Sequence, residues 1–350
     1  MNKDILLAKT TLENHGVICF PTETVMGLGV FYNDYEAYLR LNIVKCRPED
    51  KPYTMMVKSV DDIKDFAYVN EKIQRVINRF MPGSITLLLK AKDNVPSYVT
   101  HGTGVIGVRI PVNKEALDLL NGVEIPLLVP SANKSGEKPA LSSGEAKHIF
   151  KDEVGAYIEG ECSDNVPSTI VDLTKDEPVL IRKGPISFEA VKAVYHNHKF
   201  DDTVICYLIK DNKVLMLYRN KKIVDLNKGK WIGVGGHIEN NETPIQAIKR
   251  EVKEETNLVI NECNKVAKIT FFFKDDVEVM HVFTCFDFTG DVDYNCSEGT
   301  LKWIPLDDIF DINLWEGDKL FLKPILENKP YFEMHMHYDG DKLTEYKEIK

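Results

Sequence analysis

Hydrophobic residues recur along this chain at two spacings, and the pattern divides it into short strands and amphipathic helices. Gly16–Phe20 (GVICF) is an unbroken apolar run of strand length, and Tyr35–Val44 reads as a helix. Phe80–Leu89 reads as a loop running into a strand, Val108–Pro111 alternates as a strand, and Ile125–Pro130 is a further apolar run. In the second half, Thr203–Ile209 and Val214–Arg219 flank the charged turn Lys210–Lys213 and predict a hairpin. Ala267–Phe273 and Val277–Asp287 read as strands, and Met334–His337 alternates as a strand with its two histidines on one face. Between these lies a helix with a strong start signal, Thr243 followed by Pro244, which puts a capping hydroxyl before a residue that needs no amide bond. Ile245, Ile248 and Val252 then form the stripe predicted to face the core.

Length and charge narrow the classes. At 350 residues the chain can hold two domains with separate cores. It is 43% hydrophobic and 28% charged, with no long apolar run and no basic-then-apolar leader in Met1–Lys9, so a soluble cytoplasmic protein without a membrane segment is expected. Seven cysteines with no CxxC pair read as reduced thiols. A net charge of −10 argues against an extended nucleic-acid-binding face, so any polyanion must be held by a local basic pocket. Ser187–Asp202, with His196 and His198, reads as a join between domains at 1–198 and 199–350.

The helix at Thr243 carries the first candidate chemistry. Glu251, Glu254 and Glu255 stand at i, i+3 and i+4, with Glu242 just before the helix. Carboxylates so close repel unless a cation lies among them, and hard oxygen ligands suit Mg²⁺ or Mn²⁺. The ordinary alternative is a solvated acidic face. The full spacing decides against it: Gly236, five residues, Glu242, seven residues, Arg250-Glu251-Val252-Lys253-Glu254-Glu255, two residues, Leu258. This resembles the Nudix box of diphosphate hydrolases, with Asn257 where that family usually has Gly. The resemblance implies that Glu251, Glu254 and Glu255 hold the metal, that Gly236 adds its carbonyl, and that Arg250 orients the carboxylates.

Basic and hydroxyl groups mark the first half. Pro21–Gly29 (PTETVMGLG) follows the first strand and reads as a loop offering amides to an anion. Lys45, Arg47 and Lys51 fall within seven residues, stiffened by Pro48 and Pro52. Gly102–Gly107 matches GxGxxG, but a strand and not a helix follows, so it is no dinucleotide fingerprint. Arg109 is a charge on an apolar strand, suited to a ligand carboxylate or to a structural ion pair.

In order, PTETVMGLG, KCRPEDKP, GVRIP, SANKSG, PSTIVD and IRKG resemble the YrdC/Sua5 (TsaC-like) family of threonylcarbamoyl-AMP synthases over about residues 10–190. The resemblance implies an α/β fold, a twisted sheet with a positive cavity, that takes ATP, L-threonine and bicarbonate to threonylcarbamoyl-AMP for the tRNA threonylcarbamoyladenosine pathway, alongside partner proteins of that pathway. By motif, Lys45, Arg47, Lys51, Ser131, Asn133 and Arg182 would hold ATP, and Thr24, Arg109 and Ser168 would surround threonine. Two positions depart: Met26 replaces a Tyr, and Met56 stands where a His is usual.

The second half implies a Nudix α/β/α sandwich. Its GKWIGVGGHIE and LWEGDKLFL segments most resemble the MutT-like branch, in which residues at Trp315 and Asp318 stack on and hydrogen-bond a base. For Trp315 a core aromatic is the alternative, and Ile232 is apolar where a base-reading group is found in relatives. The expectation is a bifunctional enzyme whose hydrolase acts on threonylcarbamoyl-AMP or an aberrant nucleoside triphosphate. The alternative is a Nudix hydrolase carrying a silent nucleotide- or RNA-binding module.

Overall fold

The computed structural model describes residues 3–46, 52–162, 166–221, 225–239 and 242–349. The chain forms two compact units, Met1–Asn197 and His198–Lys350.

Among the described residues, the first unit carries strands β1 (Ile18–Phe20), β2 (Gly27–Phe31), β3 (Thr54–Met56), β4 (Ile85–Lys90), β5 (Val105–Arg109), β6 (Leu127–Val129), β7 (Ala156–Tyr157), β8 (Thr169–Asp172) and β9 (Val179–Arg182). They form one mixed sheet in the order β7-β1-β2-β6-β3-β5-β4-β8-β9. Helices Lys3–Glu13 and Lys114–Val123 turn Ile5, Ala8, Leu12, Leu119 and Leu120 onto Ile18, Phe20, Leu127 and Val129. Gly27 and Gly29 lie inside β2, not in an amide-presenting loop. A Cβ on Gly27 would stand 2.7 Å from Val129 Cγ1, and one on Gly29 would stand 2.9 Å from the Phe20 ring. These glycines therefore let strands and side chains close up rather than an anion approach. Gly107 is likewise within β5, as the strand-like continuation of GTGVIG requires.

The second unit carries β10 (Phe200–Lys210), β11 (Lys213–Tyr218), β12 (Trp231–Ile232), β13 (Val234–His237), β14 (Val259–Phe273), β15 (Asp276–Thr289), β16 (Thr300–Pro305), β17 (Phe332–Asp339) and β18 (Lys342–Glu348). β10 and β11 pair antiparallel, as the hairpin pattern predicts. Period-two alternation gives this sheet two apolar faces. Val204, Cys206 and Leu208 meet Ala247, Ile248 and Val252 of helix Pro244–Thr256. Ile205 and Tyr207 meet Phe321, Leu322 and Ile325 of helix Glu316–Leu326. The result is an α/β/α sandwich.

Two local expectations change. Ile245 is 40% exposed, and the buried stripe runs instead through Ala247, Ile248, Val252 and Glu255. Ser187–Asp202 is ordered rather than a solvated linker: it contains helix Phe188–Tyr195 and the start of β10, and His196 Nε2 bonds Glu177 at 2.9 Å. His335 and His337 do share a face, where both pack on the Phe272 ring. No described helix is long and apolar enough to cross a membrane.

Candidate active sites

A cleft of about 160 Å³ opens in the first unit where β2, β3 and β5 meet the loops before β8 and after β6. Thr24, Arg109, Ser131, Ser168 and Arg182 all line it, so the sheet brings together five residues scattered over the sequence. Met26 and Met56 are buried in the same wall. Met56 pairs in register with Arg109, since β3 and β5 are parallel neighbours.

Arg109 is buried against Glu23, with Nη2 donating to Glu23 Oε1 at 2.6 Å and to Thr24 Oγ1 at 2.9 Å. The structural ion pair weighed for this arginine is therefore present, and Glu23 is its partner. Yet the pair does not saturate the guanidinium, because Nε is buried without an acceptor. A buried donor left unmade costs on the order of 1–3 kcal/mol, so the atom is suited to a ligand. Arg182 donates through Nε to Ser168 O at 3.0 Å and through Nη2 to Ser168 Oγ at 3.1 Å. Burial, and then the nearby Arg109 guanidinium, push the Arg182 pKa down. No carboxylate pairs with Arg182 among the described residues, so the cleft holds a partly desolvated positive charge.

Lys45 and Asn133 do not line the cleft. The Lys45 ammonium donates to Ser131 O at 2.6 Å, Asn133 O at 2.9 Å and Asn133 Oδ1 at 2.7 Å. Ser131 Oγ also donates to Asn133 Oδ1. In this arrangement Lys45 fastens the loop that presents Ser131. Arg47 and Lys51 lie outside the described residues.

The second site is built on helix Pro244–Thr256. Thr243 and Gln246 close a capping box at its start, and Asn257 ends it in the left-handed region at φ 63°, a conformation Asn tolerates. Arg250 uses every guanidinium donor: Nε and Nη2 grip Glu242 at 2.9 Å each, Nη1 reaches Glu251 at 2.7 Å and Glu254 at 3.2 Å, and Nη2 also holds His237 O. Hydrogen bonding to Glu242 raises the Arg250 pKa and lowers that of Glu242.

Glu255 is outside this clamp. It is buried, accepts Gly235 N–H at 3.1 Å, and is pushed up to about 8 by burial and then by Glu298. Burial likewise raises Glu251. A Cβ on Gly236 would meet the Glu251 carboxylate at 2.6 Å, so only glycine leaves that carboxylate against the β13 backbone. These are donors that fit a divalent cation: carboxyls held in a dry place against the β13 backbone. Among the described residues no group of three or more such side chains stands ready-gathered for an ion. Glu254, 60% exposed at its side chain, faces Arg250 instead.

Sequence reading missed Glu23, Arg219 and Glu298. Arg219 bonds Asp225 Oδ2 at 2.7 Å and also grips Glu298, whose charge acts on Glu251 and Glu255. No local pattern signals these partners, since each comes from a distant loop or strand end. Trp315 is half-buried on a cavity of about 360 Å³ with Lys230 and Lys319; its Nε1 bonds Asn227, and Lys230 Nζ stands 4.9 Å from its ring centre. Asp318 is buried one turn on.

A profile described as telomere recombination, for Sua5, YciO and YrdC proteins, matches residues 10–184. The chain belongs to the Sua5/YciO/YrdC family. A NUDIX domain profile matches residues 199–324, and the second unit has that fold. Threonylcarbamoyl-AMP synthase of Pyrococcus abyssi is 34% identical over 192 residues, covering 54% of this chain and 56% of that protein. A putative threonylcarbamoyl-AMP synthase of Methanocaldococcus jannaschii is 32% identical, over 52% of this chain and 86% of its own length. The chain thus spans little more than half the length of the first of these relatives. Among solved structures, P. abyssi Sua5 complexed with L-threonine aligns with a TM-score of 0.53 at 28% identity, over 59% of this chain and 69% of that one. E. coli YciO aligns with a TM-score of 0.50 at 28% identity, over 52% of this chain and 90% of that one. Sua5/YciO/YrdC sequence, then, occupies the half of this chain that carries the arginine-lined cleft.

Proposed function

We propose that the first unit synthesises threonylcarbamoyl-AMP from ATP, L-threonine and bicarbonate, and that the second is a Mg²⁺-dependent NUDIX hydrolase of a nucleotide phosphoanhydride. The observation that carries the first half is a cleft holding a buried, unaccepted Arg109 Nε beside Arg182, a cation without a carboxylate partner. The solved relative that binds L-threonine supports an amino acid here. Its carboxylate accepts a hydrogen bond from Arg109 Nε–H, with Thr24 and Ser168 around it. The amine nitrogen joins bicarbonate carbon and water leaves, giving a carbamate. A carbamate oxygen then attacks the α-phosphorus of ATP and pyrophosphate departs, drawn by Arg182, while Lys45 fastens the loop that presents Ser131. The protein contributes alignment and positive charge, with no nucleophile of its own.

In the hydrolase, Glu251, Glu254, Glu255 and the Gly236 carbonyl would hold the divalent ion, the kind of cofactor NUDIX hydrolases generally use. Such an ion neutralises phosphate oxygens and acidifies water when bound. Arg250 holds two of these carboxylates in position, and the Gly235 N–H fixes Glu255.

Met26 and Met56 favour one rival, a first unit that binds nucleotide but makes no adenylate, because methionine cannot donate the hydrogen bonds of the usual Tyr and His. Incubating the chain with ATP, threonine and radiolabelled bicarbonate separates the two. A labelled adenylate with matching pyrophosphate is expected; label that never leaves the bicarbonate pool would establish the binder instead.

A further inference from the structure

β9 is the outer strand of the first unit's sheet: it pairs with β8, and no other described strand takes its far side. Its apolar residues Val179, Leu180 and Ile181 are 43%, 37% and 54% exposed. Successive side chains of a strand point to opposite faces, so both faces of this edge show hydrocarbon to water. Such an edge is open to pairing with another chain, and proteins normally blunt it by shortening the strand or charging it. The opposite margin, β7, is two residues long. In the second unit, the outer strand β18 spreads Lys342, Glu345, Lys347 and Glu348 along its seven residues. β9 has an apolar centre instead, and its one charged side chain, Arg182, is turned back onto Ser168. A register shift against β8 between Ile170 and Val171 leaves Ile181 unmatched within its own sheet.

The charges flanking this centre differ in sign. Asp176 and Glu177 precede it and Lys183 follows it, with Lys175 further back in the turn. The Glu177 side chain is exposed and bonds His196 Nε2 of its own chain. A strand with this pattern is complementary to itself in one direction only. Laid antiparallel about Leu180, it sets Ile181 across from Val179 of a second copy and Lys183 across from that copy's Glu177, each twice by symmetry. Laid parallel in register, it sets Glu177 on Glu177 and Lys183 on Lys183. Opposite charges on facing positions favour a strand pair, and like charges disfavour it.

We propose that two copies of this chain associate through β9, antiparallel across a two-fold axis, so that their nine-stranded sheets join edge to edge. A two-fold contact uses the same patch on both copies and closes on itself, which removes the open edge from both at once. One short strand pair buries little surface, so the association is reversible, with a dissociation constant in the range of about 1–100 µM. Arg182 closes β9 and Ser168 receives its guanidinium, so the joined edge is the strand that carries the cation of the first cleft.

Sedimentation equilibrium of the full chain, from about 1 to about 300 µM, tests this. We expect the average mass to climb with concentration from that of one copy toward that of two. Glu177→Lys and Lys183→Glu, each alone, set like charges opposite one another and should weaken association about tenfold. The double variant restores opposite charges in both copies and should return the dissociation constant to within about threefold of wild type. Ile181→Lys, a charge in the apolar centre, should leave single copies. A wild type that stays single throughout overturns the proposal and leaves the edge to a strand of another protein. A dimer indifferent to Ile181→Lys is held elsewhere, and single-variant losses that the double variant does not recover exclude the antiparallel pairing; either overturns it, as does a mass that grows beyond two copies. Circular dichroism melting checks that each variant is folded, and if Ile181→Lys is not, the charge exchange decides by itself.

Discussion

Asp318 shows what a single buried carboxyl does to the protein's energetics. Its folded pKa of about 7 lies above the ordinary value near 4, so the folded state keeps a proton that the unfolded chain has released. Where the folded state binds more protons, stability falls as pH rises. The wild type should therefore lose stability between about pH 4 and pH 7 on account of this group, and lose no more above that window. Asp318→Asn, which cannot ionise, should melt higher than wild type at pH 8 and about equally at pH 4, as calorimetry across the range would show. A gap constant with pH would mean that the residue is not desolvated as described. Gly236 is the steric counterpart: its sequence position in the Nudix spacing was legible, but the reason for glycine, a carboxylate 2.6 Å from where a Cβ would be, is not written in any local pattern.

At the scale of elements, helix Pro244–Thr256 was readable because its signals are local: a cap, a proline, a turn-by-turn spacing of acids. What the spacing did not give was the division of labour among those acids. Glu254 lies outward, Glu251 is half enclosed, and Glu255 shares the buried stripe with Ala247. Ile248 and Val252 of the predicted stripe are buried, while Ile245 faces out because tertiary packing turns Ala247 toward the sheet in its place. Arg250 ties the helix to Glu242 and to β13 with three of its five donor contacts, a fork that an ammonium cannot reproduce. Arg250→Lys should raise the Mg²⁺ concentration for half-maximal hydrolysis at least tenfold while the helix stays folded by circular dichroism. An unchanged Mg²⁺ requirement would show that the carboxylates are placed without it. The PTETVMGLG segment taught the opposite lesson. Its composition predicts a loop, yet β2 forms through its glycines because β1 and β6 lie on either side to receive its backbone groups.

For the whole molecule, the fusion raises the question of why one chain carries both units. Both proposed sites handle adenylate-like phosphates, and the hypothesis that follows is that the second cleaves threonylcarbamoyl-AMP made by the first. A Glu254→Gln, Glu255→Gln double variant, supplied with ATP, threonine and bicarbonate, should accumulate more of this adenylate than wild type. Superimposable time courses would separate the two activities and leave co-production as the reason for the fusion.

Sequence alone determined the order of two units, the acid-rich helix and the ordered set of short motifs along the first half, since each depends on residues close together in the chain. The tertiary structure decided which of those groups share a site. Sheet pairing put Arg109 beside Met56, strand ends converged to put Arg182 on Ser168, and Lys45 was drawn away from the cleft to hold the Ser131 loop. Charge, burial and unpartnered donors are properties of neighbours, and residues as far apart as Lys45 and Ser131 become neighbours only when a sheet forms between them.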